Sequence, residues 1–204
     1  MERRMIPKPF AYPPGPHARR HGPAGWKDYG RYRPWLRDDF CFRCVYCLIR
    51  ENWIDMRRGY QIDHFVPQKL RPDLKADYDN LLYLCADCNN LKGAALLPDP
   101  CKVALDSCLR FHSDGTVEAI NSDGERIIEI LQLDDERLID FRRRKFGILQ
   151  SLAANDRPLF TEEMGFPKDL PDLSADPPPT NTRPAGMQTS WLSLRKAGKL
   201  PQVY

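Results

Sequence analysis

Asp63-His64-Phe65-Val66-Pro67 and, after a charged segment, Asn80-Leu81-Leu82-Tyr83-Leu84-Cys85-Ala86-Asp87-Cys88-Asn89-Asn90-Leu91-Lys92-Gly93 decide the reading of this chain. Gln61 to Phe65 reads as a strand, and Leu81 to Leu84 as a buried strand. Pro67, Pro72 and the charges between them make the connection a loop. From Asn89 a helix begins and runs to about Leu97, where Pro98 and Pro100 end it.

The cysteines frame this stretch. All seven fall between Cys41 and Cys108. Cys44-Val45-Tyr46-Cys47 and Cys85-Ala86-Asp87-Cys88 are two CxxC knuckles. Each offers two thiolates from one tight turn, and two knuckles make the tetrahedral four-sulfur set of a structural zinc. Cys41-Phe42-Arg43-Cys44 has the same spacing, so Cys41 is an alternative partner of Cys44 in place of Cys47. Cys101 and Cys108 lack such spacing and read as packing residues.

Working outward, 204 residues amount to one domain with tails, at ~150 residues per domain. A hydrophobic share of 42% against 29% charged supports a folded core and excludes a fully disordered chain. No apolar run approaches the ~18 residues of a membrane span. Met1 to Phe10 carry charge and prolines without an apolar stretch, which predicts no secretory signal. Clustered cysteines in such a chain read as metal ligands before disulfides, and the expected location is cytoplasmic.

The flanks differ from the middle. Seven of the 19 prolines lie in residues 1–34 and eight in 158–201, so the compact part lies between them. Residues 1–34 form a basic arm interleaved with Tyr12, Trp26, Tyr29 and Tyr32. Its Arg31 and Arg33 are candidates for a phosphate backbone, with aromatics to stack on bases. Ser113-Asp114-Gly115 joins two short strands into a hairpin. Ser122 or Asp123 caps a helix through Leu131, and Asp134 or Asp135 caps one to about Asn155. Leu138, Phe141, Ile148, Leu149 and Leu152 give the second helix an apolar face, and Arg142 and Arg143 give it a basic cluster open to phosphate. Residues 156–186 read as linker. Trp191 to Tyr204 read as a docking tail.

Chemistry enters between the knuckles. A zinc on Cys85 and Cys88 would fix the start of the helix that carries Asn89. A hairpin packed on that helix would turn Asp63 and His64 toward Asn89. Asp63 and Asn89 each offer a hard oxygen, a donor set that suits magnesium or manganese. His64 is then a candidate general base, since an imidazole titrates near neutral pH.

In this order the DH-x-x-P, N-L and C-x-x-C elements resemble the HNH endonucleases. These are His-Me finger nucleases, here nearest the zinc-containing McrA-like and endonuclease VII-like variant with Asn in place of the last His. The resemblance covers roughly residues 41–95. It implies an α+β chain with a ββα-metal core and a four-cysteine zinc site. By position, His64 is the general base, Asn80 holds the hairpin loop, and Asp63 and Asn89 are ligands of the catalytic cation. Lys92 is expected to face the phosphate.

The implied activity is metal-dependent hydrolysis of DNA, leaving 5′-phosphate and 3′-hydroxyl ends. The organisation predicted is a basic arm at 1–34, the nuclease core at 35–100, a hairpin and helical extension at 101–155, and a linker and docking tail at 156–204. Small HNH proteins of this size resemble nuclease subunits of bacterial anti-phage systems, in which a partner ATPase docked on the tail would license cutting. The rival reading is a non-catalytic zinc ribbon that binds nucleic acid or protein.

Overall fold

The computed structural model describes residues 8–53 and 59–204. Its elements, in order, are β1 (Pro23–Ala24), α1 (Arg33–Asp39), β2 (Tyr60–His64), β3 (Leu81–Cys85), α2 (Ala86–Lys92), β4 (Leu109–Phe111), β5 (Val117–Ala119), α3 (Ser122–Leu131), α4 (Glu136–Asn155), α5 (Arg157–Met164), β6 (Thr180–Asn181) and α6 (Trp191–Lys196). Three two-stranded antiparallel sheets result: β1 with β6, β2 with β3, and β4 with β5. This is the expected α+β class.

The centre is the hairpin β2–β3 with α2 behind it. Register pairs Tyr60 with Cys85, Ile62 with Tyr83 and His64 with Leu81. All five residues of β3 are buried, because protein covers both its faces. α2 starts at Ala86, three residues before the predicted start at Asn89, since the Cys85–Cys88 knuckle is itself the first helical turn. It stops at Gly93, short of the prolines. Gly93 ends the helix at φ +48, a backbone region that side-chain-bearing residues avoid.

The second hairpin forms where expected, and its tip docks on α4. Gly115 sits at φ +90, and a Cβ there would lie 2.1 Å from the Ile139 carbonyl oxygen. Only glycine permits that approach. The cap of α3 is Asn121, one residue ahead of the predicted Ser122 or Asp123; its Oδ1 accepts from Gly124 N at 3.0 Å. Asp135 caps α4 as predicted. Of the apolar face expected on α4, Leu149 is buried and Ile148 is half exposed.

The flanks are packed onto the core, beyond what their composition suggests. The predicted linker contains α5, capped by Asp156 and with Pro158 in its first turn. Its Phe160 and Met164 are buried. The arm buries Phe10, Trp26 and Tyr32 and is tied to the C-terminal part by the β1–β6 pair. Residues 1–7 of the predicted arm lie outside the described residues. Trp191, expected to be offered to a partner, donates its indole N–H to the Asp38 carbonyl at 2.9 Å and lies under Arg20. Buried Arg50, three residues past the first knuckle, donates to the carbonyls of Met164 and Tyr204. Among the described residues no helix is long and apolar enough to cross a membrane.

Candidate active site

The two knuckles converge. The sulfurs of Cys44, Cys47, Cys85 and Cys88 all lie within 4.8 Å of one another and all four residues are buried. The Cys47 and Cys85 sulfurs are 3.7 Å apart. A zinc tetrahedron with ~2.3 Å Zn–S bonds has sulfur–sulfur edges of ~3.8 Å, so the cluster has the dimensions of that site. None of the four is in a disulfide. Cys41 lies outside the group: its sulfur faces the Asp39 carbonyl at 4.0 Å. The choice left open by the sequence falls to Cys44 and Cys47. Cys108 is buried as a packing residue, and Cys101 partly so.

The Cys85–Cys88 knuckle opens α2 and sets it against β2. Gln61 and Asp63 are two residues apart on β2 and so share one face of the strand. That face meets α2 at two points. Asn89 donates through Nδ2 to Gln61 Oε1. One turn on, Lys92 Nζ lies 3.1 Å from Asp63 Oδ1 and 2.8 Å from Oδ2. Lys92 also donates to the His64 carbonyl at 3.1 Å. It is 1% exposed, so it does not face a phosphate as predicted. Its stem is drawn inward because the buried Asp63 carboxylate needs a cation.

Asp63 is 6% exposed, and burial pushes its carboxyl above the ordinary carboxylate range, with the Lys92 ammonium pulling it part of the way back. Its Oδ2, though close to that ammonium, is buried without a well-directed hydrogen bond. A carboxylate oxygen held by an ion pair and no directed hydrogen bond keeps a lone pair that a divalent cation could take. Asn89 spends its N–H on Gln61, so the amide oxygen is what it has to offer a cation.

His64 ends β2 and is 8% exposed. Its Nε2 lies 2.9 Å from the Lys75 carbonyl oxygen, which only accepts, so this nitrogen carries the proton. Nδ1 then presents a lone pair, met by the Gln68 side-chain amide at 3.2 Å. The ring of Tyr29 stands edge-on to the imidazole, centroids 4.7 Å apart and planes at 80°. Sequence reasoning did not single out Gln68, and it read Tyr29 only as one of the arm's aromatics for stacking on bases.

Asn80 closes the loop after His64. Its Oδ1 accepts from Val66 N at 2.9 Å, and its Nδ2 donates to the carbonyls of Val66 at 3.1 Å and Leu74 at 3.3 Å. Its own carbonyl accepts from Phe65 N at 2.8 Å. Both edges of the loop are thus tied to one buried side chain.

The predicted DNA-facing arginines divide. Arg142 is buried and donates to the carbonyls of Gly115 at 2.6 Å and Leu133 at 2.7 Å. It holds the second hairpin on α4 and is closed to phosphate, contrary to expectation. Arg143 is on the surface, 2.7 Å from Asp140. Arg31 is exposed and pairs with Asp176. Arg33 is exposed and donates to the Tyr60 carbonyl at 2.6 Å. A groove of about 920 Å³ runs beside Tyr60 and Tyr83, with Arg33, Arg37 and Lys168 facing Glu51, Glu162 and Asp169. Its mixed lining has no strong pull on an anion.

A hairpin and helix bound through a four-thiolate knuckle pair, with Asp and His at the end of the first strand, define a zinc-type ββα unit. Residues 44–95 match the family model described as HNH endonuclease, and this part of the chain is an HNH domain with a zinc-type cysteine cluster. No curated protein matches the chain. An HNH domain carries a nuclease or nucleic-acid-binding role.

Proposed function

We propose that the chain is an HNH endonuclease that hydrolyses phosphodiester bonds of DNA. The single observation that carries this reading is the polarised His64. With Nε2–H committed to the Lys75 carbonyl, Nδ1 is a lone-pair base at the mouth of the hairpin. The Gln68 amide meets Nδ1 at 3.2 Å, so it stands where the attacking water would sit and would swing aside to admit it. Nδ1 takes a proton from that water, the oxygen attacks phosphorus, and the 3′ oxygen departs and is protonated from solvent. Asn80 keeps the loop and His64 in register, and Asp63 and Asn89 would hold magnesium or manganese. When bound, that cation supplies charge neutralisation at the phosphate. A zinc held by Cys44, Cys47, Cys85 and Cys88 would fix the angle of α2 and take no part in bond cleavage.

His64→Ala and the parent chain, given magnesium or manganese, are compared on supercoiled, linear and single-stranded DNA. Cutting by the parent and its loss in the variant, with zinc content retained, is the expected outcome. Equal cutting by both refutes the role of His64. The second reading, a non-catalytic zinc module, draws on the pairing of Asp63 with Lys92 and of Asn89 with Gln61. A parent chain that binds DNA and never cuts it would favour that reading. On size and resemblance we also place the chain with a licensing ATPase in anti-phage defence; co-purification of the full chain with an ATPase encoded beside it tests that.

A further inference from the structure

We propose that Tyr29 of the N-terminal arm is a positioning residue for His64, so that the working nuclease site extends outside the HNH domain. This rests on the nuclease reading above. The imidazole is held at three places. Lys75 fixes Nε2 and Gln68 meets Nδ1, both from the segment that follows β2. The third is the ring of Tyr29, edge-on at 4.7 Å, and it comes from outside residues 44–95. The imidazole turns about its Cβ–Cγ bond, and once the attacking water takes the place of Gln68 at Nδ1, the Lys75 bond alone opposes that turn from within the HNH domain. A perpendicular aromatic wall limits the turn from the other side.

Tyr29 is itself well anchored. It opens a single 3₁₀ turn, Tyr29–Tyr32, whose cap is Asp28 accepting from Gly30 N at 2.9 Å. The turn is flanked by buried Trp26 and Tyr32, whose rings lie 5.1 Å apart. β1, just ahead, is paired with β6. The Lys75 ammonium lies 6.0 Å over the Tyr29 ring, so one aromatic touches both the histidine and the residue that polarises it. None of these contacts needs the Tyr29 hydroxyl, so the ring is the functional part.

The test compares Tyr29→Ala and Tyr29→Phe in the full chain. Misplacing a catalytic group lowers turnover steeply, by ~10-fold to 100-fold for small displacements. Tyr29→Ala is expected to lower kcat about 10-fold or more, leaving KM for DNA and the zinc content near parental values. Tyr29→Phe is expected to restore kcat. Nitrogen NMR of the His64 ring supplies a readout independent of cutting: the parent and Tyr29→Phe show the Nε2–H tautomer, and Tyr29→Ala shows a mixture. A parent that cuts DNA with Tyr29→Ala equally active and unmixed overturns the positioning role alone. A fall in KM and kcat alike for both variants would also overturn it, as would Tyr29→Phe failing to rescue. A parent that does not cut overturns the nuclease reading instead.

Discussion

Lys92 Nζ lies 2.8 Å from Asp63 Oδ2 and 3.1 Å from the His64 carbonyl oxygen, joining the last turn of α2 to the end of β2 at both residues of the Asp-His pair. The side chain of Lys92 is fully enclosed. Two consecutive residues of the hairpin thus depend on one helical cation for their placement.

Removing one partner of a buried ion pair leaves the other charge uncompensated, at a cost of ~3–5 kcal/mol. Lys92→Met is expected to destabilise the chain by about that amount in urea unfolding. Adding Asp63→Asn to Lys92→Met removes the stranded carboxylate and should recover part of the loss. A double variant no more stable than Lys92→Met would mean that Lys92 acts through packing of its stem alone.

Asn80 satisfies three polar groups of the loop at once, so Asn80→Ala strands the Val66 amide and the Val66 and Leu74 carbonyls. Each buried group left without a partner costs ~1–3 kcal/mol, less where water enters. We expect a stability loss of ~2 kcal/mol or more and faster amide exchange at Phe65 and Val66. Unchanged exchange there would show that the loop is held by its backbone.

His17 gives the fold an acid limit. Its ring stacks on Phe40, with centroids 4.4 Å apart, and burial lowers its pKa from 6.5 to about 3, aided by the charges of Arg19, Arg43 and Arg20. The folded chain therefore keeps His17 neutral where the unfolded chain would protonate it. Stability is fully present above about pH 6.5 and falls as the pH drops toward 3. His17→Gln should flatten that part of the profile relative to the parent. Parallel profiles of urea midpoint against pH for the two proteins would rule the residue out.

What the sequence disclosed follows from how local each signal is. The knuckles, the two strands and the Asp-His pair are set by spacings within one turn or one strand, and each is where its pattern placed it. Asn121 was missed as a cap because three polar residues in a row can each serve, and only the close approach of Gly124 to the Cys108 carbonyl fixes the frame. Lys92, by resemblance, and Arg142, by its place in a basic cluster, were expected to face phosphate. Their acceptors, Asp63 and Gly115, lie far along the chain, and no periodicity links them. The contact of Tyr29 with His64 was invisible for the same reason. The linker reading failed because proline content masks a helix that uses Pro158 in its first turn.

The thiolate cluster makes the last prediction, and it separates the two possible first pairs. Four buried sulfurs within 4.8 Å and no disulfide among them form one tetrahedral donor set for a soft cation. Purified protein is expected to contain about one zinc per chain, since four thiolates complete one tetrahedral site. Because ligands from Cys44 to Cys88 straddle both strands of the hairpin, the metal's binding free energy enters the folding free energy directly. Strong chelation, or Cys85→Ser with Cys88→Ser, should remove the zinc and lower the unfolding temperature by well over 10 °C, given ~2–4 °C per kcal/mol for a chain of this size. Cys47→Ser should do the same. Cys41→Ser should leave zinc content at the parental level, because its sulfur is turned to the Asp39 carbonyl. Zinc lost from Cys41→Ser and kept in Cys47→Ser would reverse the ligand assignment and, with it, the way the first knuckle holds β3.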